Sequence, residues 1–187
     1  MQRPRRHGLD ALVVAAALGL MGAVAPVAAV TPAVGPAGQP AAVGPPDLRC
    51  EWSIAPGARA GGPVHLRFSV INPGRAAVRV LAWGTPFEGW RSPYVLLERD
   101  GVALPYRGAS VKRGDPGLGD DLRLPASGRR QASVDLGQAY DLSRPGRYRL
   151  EARILLHDVH TGRRARPRSA HTPQPLACPA LEFTLPG

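Results

Sequence analysis

Val64-His65-Leu66-Arg67-Phe68-Ser69-Val70 alternates apolar and polar side chains without a break. A period of two places Val64, Leu66, Phe68 and Val70 on one face of an extended strand, whereas a helix would scatter them around its axis. Arg147 to Leu156 repeats the pattern, with Tyr148, Leu150, Ala152, Ile154 and Leu156 on one side. Shorter segments of the same kind run over Ala77–Leu81, Tyr94–Arg99, Val102–Tyr106, Leu122–Leu124, Gln131–Leu136 and Leu181–Leu185. Turn chemistry punctuates them. Asn72-Pro73-Gly74-Arg75 predicts a hairpin between Val64–Val70 and Ala77–Leu81, and Asp100-Gly101 predicts a second between Tyr94–Arg99 and Val102–Tyr106. No helical stripe of useful length follows the first thirty or so residues. Short strands at regular spacing predict an all-β chain, an immunoglobulin-like β-sandwich of about seven to nine strands.

The sequence divides into three parts. Residues 1–29 have the form of a signal peptide. Arg3, Arg5, Arg6 and His7 make a basic start, Ala11–Val24 an apolar stretch too short to span a bilayer comfortably, and Val27-Ala28-Ala29 a small-residue cleavage site. Residues 30–46, rich in Ala, Pro, Gly and Val, form a flexible linker. Residues 47–187 are expected to fold as the sandwich. Export places the protein in the periplasm or outside the cell, with no membrane span once the signal is removed.

The formal charge of +10 falls to +8 when the three Arg and one Asp of residues 1–29 are set aside. The strand arginines alternate with apolar residues as a solvated face does, so no nucleic-acid partner is expected. Arg163–Arg168 is a separate basic loop, suited to an acidic partner or to service as a tether. Cys50 and Cys178 are the only two cysteines. In an oxidising compartment they predict one disulfide between the first and last strands, its long loop giving up to about 4–5 kcal/mol in the chain-entropy description.

Eight residues stand apart from the strand pattern. Trp83-Gly84-Thr85-Pro86-Phe87-Glu88-Gly89-Trp90 contains two of the three tryptophans and one of the three phenylalanines of the chain. With Pro86 and two glycines it is neither a helix interior nor a regular strand. It heads an ordered series that continues with Arg99-Asp100-Gly101, Pro105-Tyr106, Val111-Lys112-Arg113-Gly114, Leu124-Pro125-Ala126-Ser127-Gly128, Val134-Asp135-Leu136, Ala139-Tyr140-Asp141-Leu142-Ser143 and Pro145-Gly146-Arg147-Tyr148. This series, over roughly Val64 to Ala152, resembles the N-terminal, non-catalytic pro-region of secreted deuterolysin-like metalloendopeptidases, the aspzincins that include peptidyl-Lys enzymes.

The catalytic domain of that family carries His-Glu-x-x-His on a helix, two imidazoles for zinc and a carboxylate to activate water. None of His7, His65, His157, His160 and His171 precedes a Glu, and His157-Asp158-Val159-His160 has the wrong spacing for one helix face. The resemblance therefore implies a pro-region without its protease. No enzyme activity, catalytic residue, metal or cofactor is expected. Asp115, Asp120 and Asp121 match no calcium loop and are expected to form a solvated turn.

Two roles compete for the aromatic segment. Its rings close the mouth of the sandwich, or Phe87 and Trp90 stand out as anchors for a partner, with Trp83 inward as a structural residue. Tyr140 and Tyr148 are expected to be structural, with Tyr140 hydrogen-bonding backbone in the manner of a tyrosine corner. Lys112, the only lysine, sits with Arg113 on a Gly-flanked loop. Two readings stand for Lys112: an ordinary exposed lysine or, as the resemblance to lysine-directed proteases implies, a substrate mimic with Arg113 beside it in partner binding. The expected function is an exported protein that binds a secreted metalloprotease in trans, as inhibitor or folding helper. The alternative is a periplasmic or secreted β-sandwich module, binding or structural, with no protease partner.

Overall fold

The computed structural model describes residues 46–187 except Leu118. The expected signal peptide and all but the last residue of the linker lie outside the described residues. The strands are β1 (Arg49–Ile54), β2 (His65–Asn72), β3 (Val78–Leu81), β4 (Val95–Arg99), β5 (Val102–Ala103), β6 (Asp121–Leu124), β7 (Gly128–Asp135), β8 (Gly146–Ala152), β9 (Leu155–Leu156), β10 (Val159–His160), β11 (Gln174–Pro175) and β12 (Leu181–Leu185). Four of the twelve are two residues long, which leaves eight of substance. Single turns of 3-10 helix cover Pro86–Glu88, Leu136–Gln138 and Arg168–Ala170.

One sheet has the order β1-β2-β7 and another β12-β8-β4-β5; two smaller ones are β10-β3-β6 and β11-β9. Every pairing is antiparallel. This is an all-β fold consistent with a sandwich. Its core follows from the alternation: Val64, Leu66, Phe68 and Val70 are fully buried from one sheet, and Leu97, Tyr148 and Leu150 from the other, in one apolar cluster. Cys50 on β1 is bonded to Cys178, three residues before β12, so the disulfide ties an edge of one sheet to the approach of an edge of the other.

The Asp100-Gly101 hairpin forms between β4 and β5, with both turn residues at positive φ (51° and 80°) as a two-residue hairpin turn of the primed type requires. The hairpin expected at Asn72–Arg75 does not form. β2 pairs with β1 and β7, while β3 pairs with β6 and β10. The chain leaves the β1-β2-β7 sheet for the β10-β3-β6 sheet at this turn, and the β6–β7 connection returns beside it. Asn72 is the reason. Its buried amide donates to Ala76 O at 2.8 Å and to Pro125 O at 2.9 Å, and its Oδ1 accepts from Gly74 N at 3.0 Å. Ser127 N then donates to Gly74 O at 2.8 Å, so the two corners are pinned to each other. Asn72→Ala strips partners from two carbonyls at this buried corner and is expected to cost about 2 kcal/mol in urea unfolding. An unchanged midpoint would show that the corner is held by the backbone alone.

The second long alternation is also interrupted. β8 ends at Ala152, and Leu155–Leu156 pairs with β11 instead of β4. Arg153 N donates to Tyr94 O and Leu176 N to Ile154 O, so the backbone changes partners while Ile154 and Leu156 stay buried. Among the described residues, no helix is long and apolar enough to cross a membrane.

Candidate functional site

The Trp83–Trp90 segment is shaped by its own residues. Gly84 takes φ 68°, which favours glycine, and a β-carbon there would meet His157 Nε2 at 3.4 Å. Thr85 caps the 3-10 turn: its Oγ1 accepts from Phe87 N at 3.3 Å and donates to Ala82 O at 2.6 Å. Pro86 occupies the first turn, where its missing N–H costs nothing. Glu88 reaches back to accept from Gly84 N at 2.8 Å. Thr85-Pro86-Phe87-Glu88 is thus close to a capping box, shifted by one residue at its donor, and that Thr-x-x-Glu spacing is a signal the sequence reading passed over.

This turn sends its rings in three directions. Phe87 is half-buried and meets Phe68 edge-on at 5.4 Å. Trp90 is buried, stacked on Tyr94 at 4.6 Å and edge-on to Tyr140 at 5.8 Å, and its Nε1 donates to Asp135 O at 2.6 Å. The expectation that Trp90 faces outward is therefore corrected: the tyrosine cluster covers its faces, and a backbone carbonyl takes its only polar atom. Trp83 is inward as well, with the Arg113 guanidinium 5.1 Å above its ring.

Tyr140 Oη donates to Val95 O at 2.7 Å, a bond across to β4 and not to nearby upstream backbone. The short-range bond of the tyrosine-corner kind belongs to Tyr148, whose Oη donates to Arg144 O at 2.6 Å. Burial and the neighbouring Tyr106 push the Tyr140 phenol up to about 12, and burial raises Tyr94 further still.

Lys112 is exposed, and its flanks are fastened. Val111 N donates to Arg91 O at 3.2 Å. Arg113, expected to face a partner, instead turns inward to an ion pair with Glu88. Arg168 donates to Arg113 O through Nη1 at 2.8 Å and to Asp115 Oδ1 through its backbone N at 2.9 Å. The Arg163–Arg168 loop thus contributes Arg168 to an internal clamp on the Lys112 loop.

The other arginine of that loop has a deeper partner. Arg166 grips the buried Asp158 carboxylate through Nε at 2.9 Å and through Nη2. Thr172 N donates to the same carboxylate at 3.3 Å, and His160 Nε2 donates to Asp121 at 3.2 Å beside it. Asp121 is almost wholly enclosed, so the solvated turn expected for Asp115, Asp120 and Asp121 is corrected: they separate into a loop clamp, a turn bond to Gly117 N and a buried histidine partner. Among the described residues, no group of three or more His, Cys, Asp or Glu has the arrangement of a metal site.

A depression of about 520 Å³ is lined mainly by residues 61–63 and 135–143 and carries the exposed Arg107–Asp141 ion pair. A smaller cavity of about 240 Å³ concentrates more chemistry. Trp83, Glu88, Arg91, Arg113, His157 and Arg168 are among its walls. Burial, with His171 and Arg168 close by, holds the His157 imidazole below its usual value against the pull of Glu88.

An extracellular protease of Aeromonas hydrophila is similar to this chain, 32% identical over 108 residues. The matched region is 57% of this chain and 30% of that protein, so the chain spans about a third of the relative's length. No protein-family model matches the chain. The similarity is thus to part of an extracellular protease, and the disulfide of this chain is of a kind that persists in oxidising compartments.

Proposed function

We propose that this chain is a non-catalytic, exported sandwich that binds a secreted metalloprotease in trans, as an inhibitor or folding helper. The observation that carries the reading is the presentation of Lys112. Its side chain is exposed on a loop whose neighbours are held by Arg91, Glu88 and Arg168. A loop already fixed in its bound shape loses little conformational freedom on docking, which is how a short segment gains affinity for a protease cleft. The similarity to an extracellular protease and the resemblance of the Val64–Ala152 series to a pro-region supply the kind of partner.

Lys112 is the residue a lysine-directed cleft would read. Val111 beside it is an exposed apolar residue that adds contact area. Phe87 is only half-buried and offers a second contact, whereas Trp90 acts through the core.

The test is inhibition of a purified deuterolysin-like, lysine-directed protease by the exported form of this protein. Lys112→Ala is expected to weaken inhibition at least tenfold, because one desolvated charged contact is worth about 1.5–3 kcal/mol. The substitution lies on an exposed side chain, so the unfolding midpoint should stay put. Equal inhibition by both proteins would remove Lys112 from the interface. Absence of binding to any such protease would remove the proposal.

A further inference from the structure

We infer that the loop from Thr161 to Ala165 is a processing site, cut at its Arg163-Arg164 pair by an arginine-directed endopeptidase to give a two-chain protein joined by the disulfide. The inference stands on this loop and does not depend on the metalloprotease reading. At the Arg164–Ala165 bond the peptide C–N bond breaks. Water supplies a hydroxyl to the Arg164 carbonyl carbon and a proton to the Ala165 nitrogen.

The loop meets what an endopeptidase needs from a folded substrate. Thr161, Gly162, Arg163 and Arg164 are all exposed. Among the described residues, no hydrogen bond and no ion pair reaches residues 161–165, whose pairing neighbours end at His160 and resume at Arg166. A protease cleft takes in several residues of extended backbone, so cutting falls where the backbone is both exposed and unbonded.

The other basic residues lack one of these conditions. Lys112 is exposed, but Val111 N is bonded to Arg91 O and Arg113 O is taken by Arg168. Arg144 and Arg166 each precede a proline, whose ring replaces the N–H of the bond to be cut. Arg168 N is held by Asp115. The arginines of β2, β7 and β8 lie in antiparallel ladders.

Both sides of the cut are fastened. Upstream, β10 is paired with β3. Downstream, Arg166 grips Asp158, β12 pairs with β8 from Leu181 to Leu185, and Cys178 is bonded to Cys50. Cys50 precedes the cut and Cys178 follows it, so residues 165–187 stay covalently attached. Arg168 then keeps its hold on the Lys112 loop.

The experiment is limiting digestion of the exported form with trypsin, which reads both Lys and Arg and so lets the two exposed loops compete. The first cut should fall within residues 163–165. The product should run as one band without reductant and release residues 165–187 on reduction, with mass spectrometry placing the new ends. Arg163→Gln combined with Arg164→Gln should lose this first cut and keep the unfolding midpoint, because neither side chain has a partner in the fold. A first cut after Lys112 or elsewhere, a double variant cut as fast as the parent, or escape of residues 165–187 without reductant overturns the inference. Protein recovered from the cells that naturally export it should carry the same new ends; recovery of uncut chains alone overturns it too.

Discussion

Trp90→Ala is expected to destabilise the protein by about 3–5 kcal/mol, the range for deleting a large buried aromatic side chain. The ring lies on Tyr94, meets Tyr140 edge-on and approaches Tyr106 at 6.3 Å, so its removal opens a cavity bordered by three tyrosines. It also leaves Asp135 O without the indole donor. Asp135 is where β7 ends, and its carboxylate accepts from Val64 N at 3.0 Å and Gly137 N at 2.9 Å. The damage therefore reaches the strand that pairs with β2. Denaturant unfolding followed by far-UV circular dichroism measures the loss; an unfolding midpoint equal to that of the parent would place the ring on the surface. The result also governs how binding data are read. Lost partner binding in Trp90→Ala reports on the fold, while Lys112→Ala reports on contact.

Asp158→Ala is expected to cost about 3 kcal/mol, the lower end of the range for breaking a buried ion pair, because the Arg166 side chain keeps 33% of its exposure. The deletion strands Arg166 and Thr172 N and removes the anchor that holds residues 166–172 to β3 and β10. Asp158→Asn keeps the shape and loses the charge, so it should fall between the parent and the alanine variant.

The same carboxylate makes the protein acid-sensitive. Burial by itself would raise the Asp158 carboxyl. Hydrogen bonds from Arg166 and Thr172 and the charges of Arg166 and His160 outweigh it and hold the group below its usual 3.8. A depressed value in the folded state means that this contribution is complete above the ordinary carboxylate range and is lost as pH falls through and below it. The stability gap between parent and Asp158→Ala should therefore narrow in acid, measured by unfolding at a series of pH values. A gap independent of pH would show that packing, not charge, is what the carboxylate supplies.

Much of the fold was legible because a strand's face is a local property. The alternation of Val64–Val70 and the Asp100-Gly101 turn needed no knowledge of neighbours. The Asn72 corner misled because Asn-Pro-Gly-Arg is good turn chemistry whether a chain returns beside itself or crosses to another sheet. Only the carbonyls of Ala76 and Pro125, waiting within reach of one amide, decided for crossing.

The site was less legible. Trp83, Glu88, Arg113 and Arg168 are spread over more than eighty residues, and an arginine paired to a carboxylate looks the same in a sequence as one in water. The basic loop at 163–168 shows this most clearly, since two of its arginines are occupied by Asp158 and by the Lys112 loop.

The sequence by itself determined the β class, the pairing of its two cysteines and the aromatic segment that breaks the strand pattern, since each rests on periodicity, on a count or on local chain stiffness. The tertiary structure alone decided that Trp90 points into the core, that Arg113 turns away from solvent, and that Lys112 remains outside between fastened neighbours. Those outcomes depend on which distant groups arrive within hydrogen-bonding range, and short range in space is not encoded by proximity along the chain.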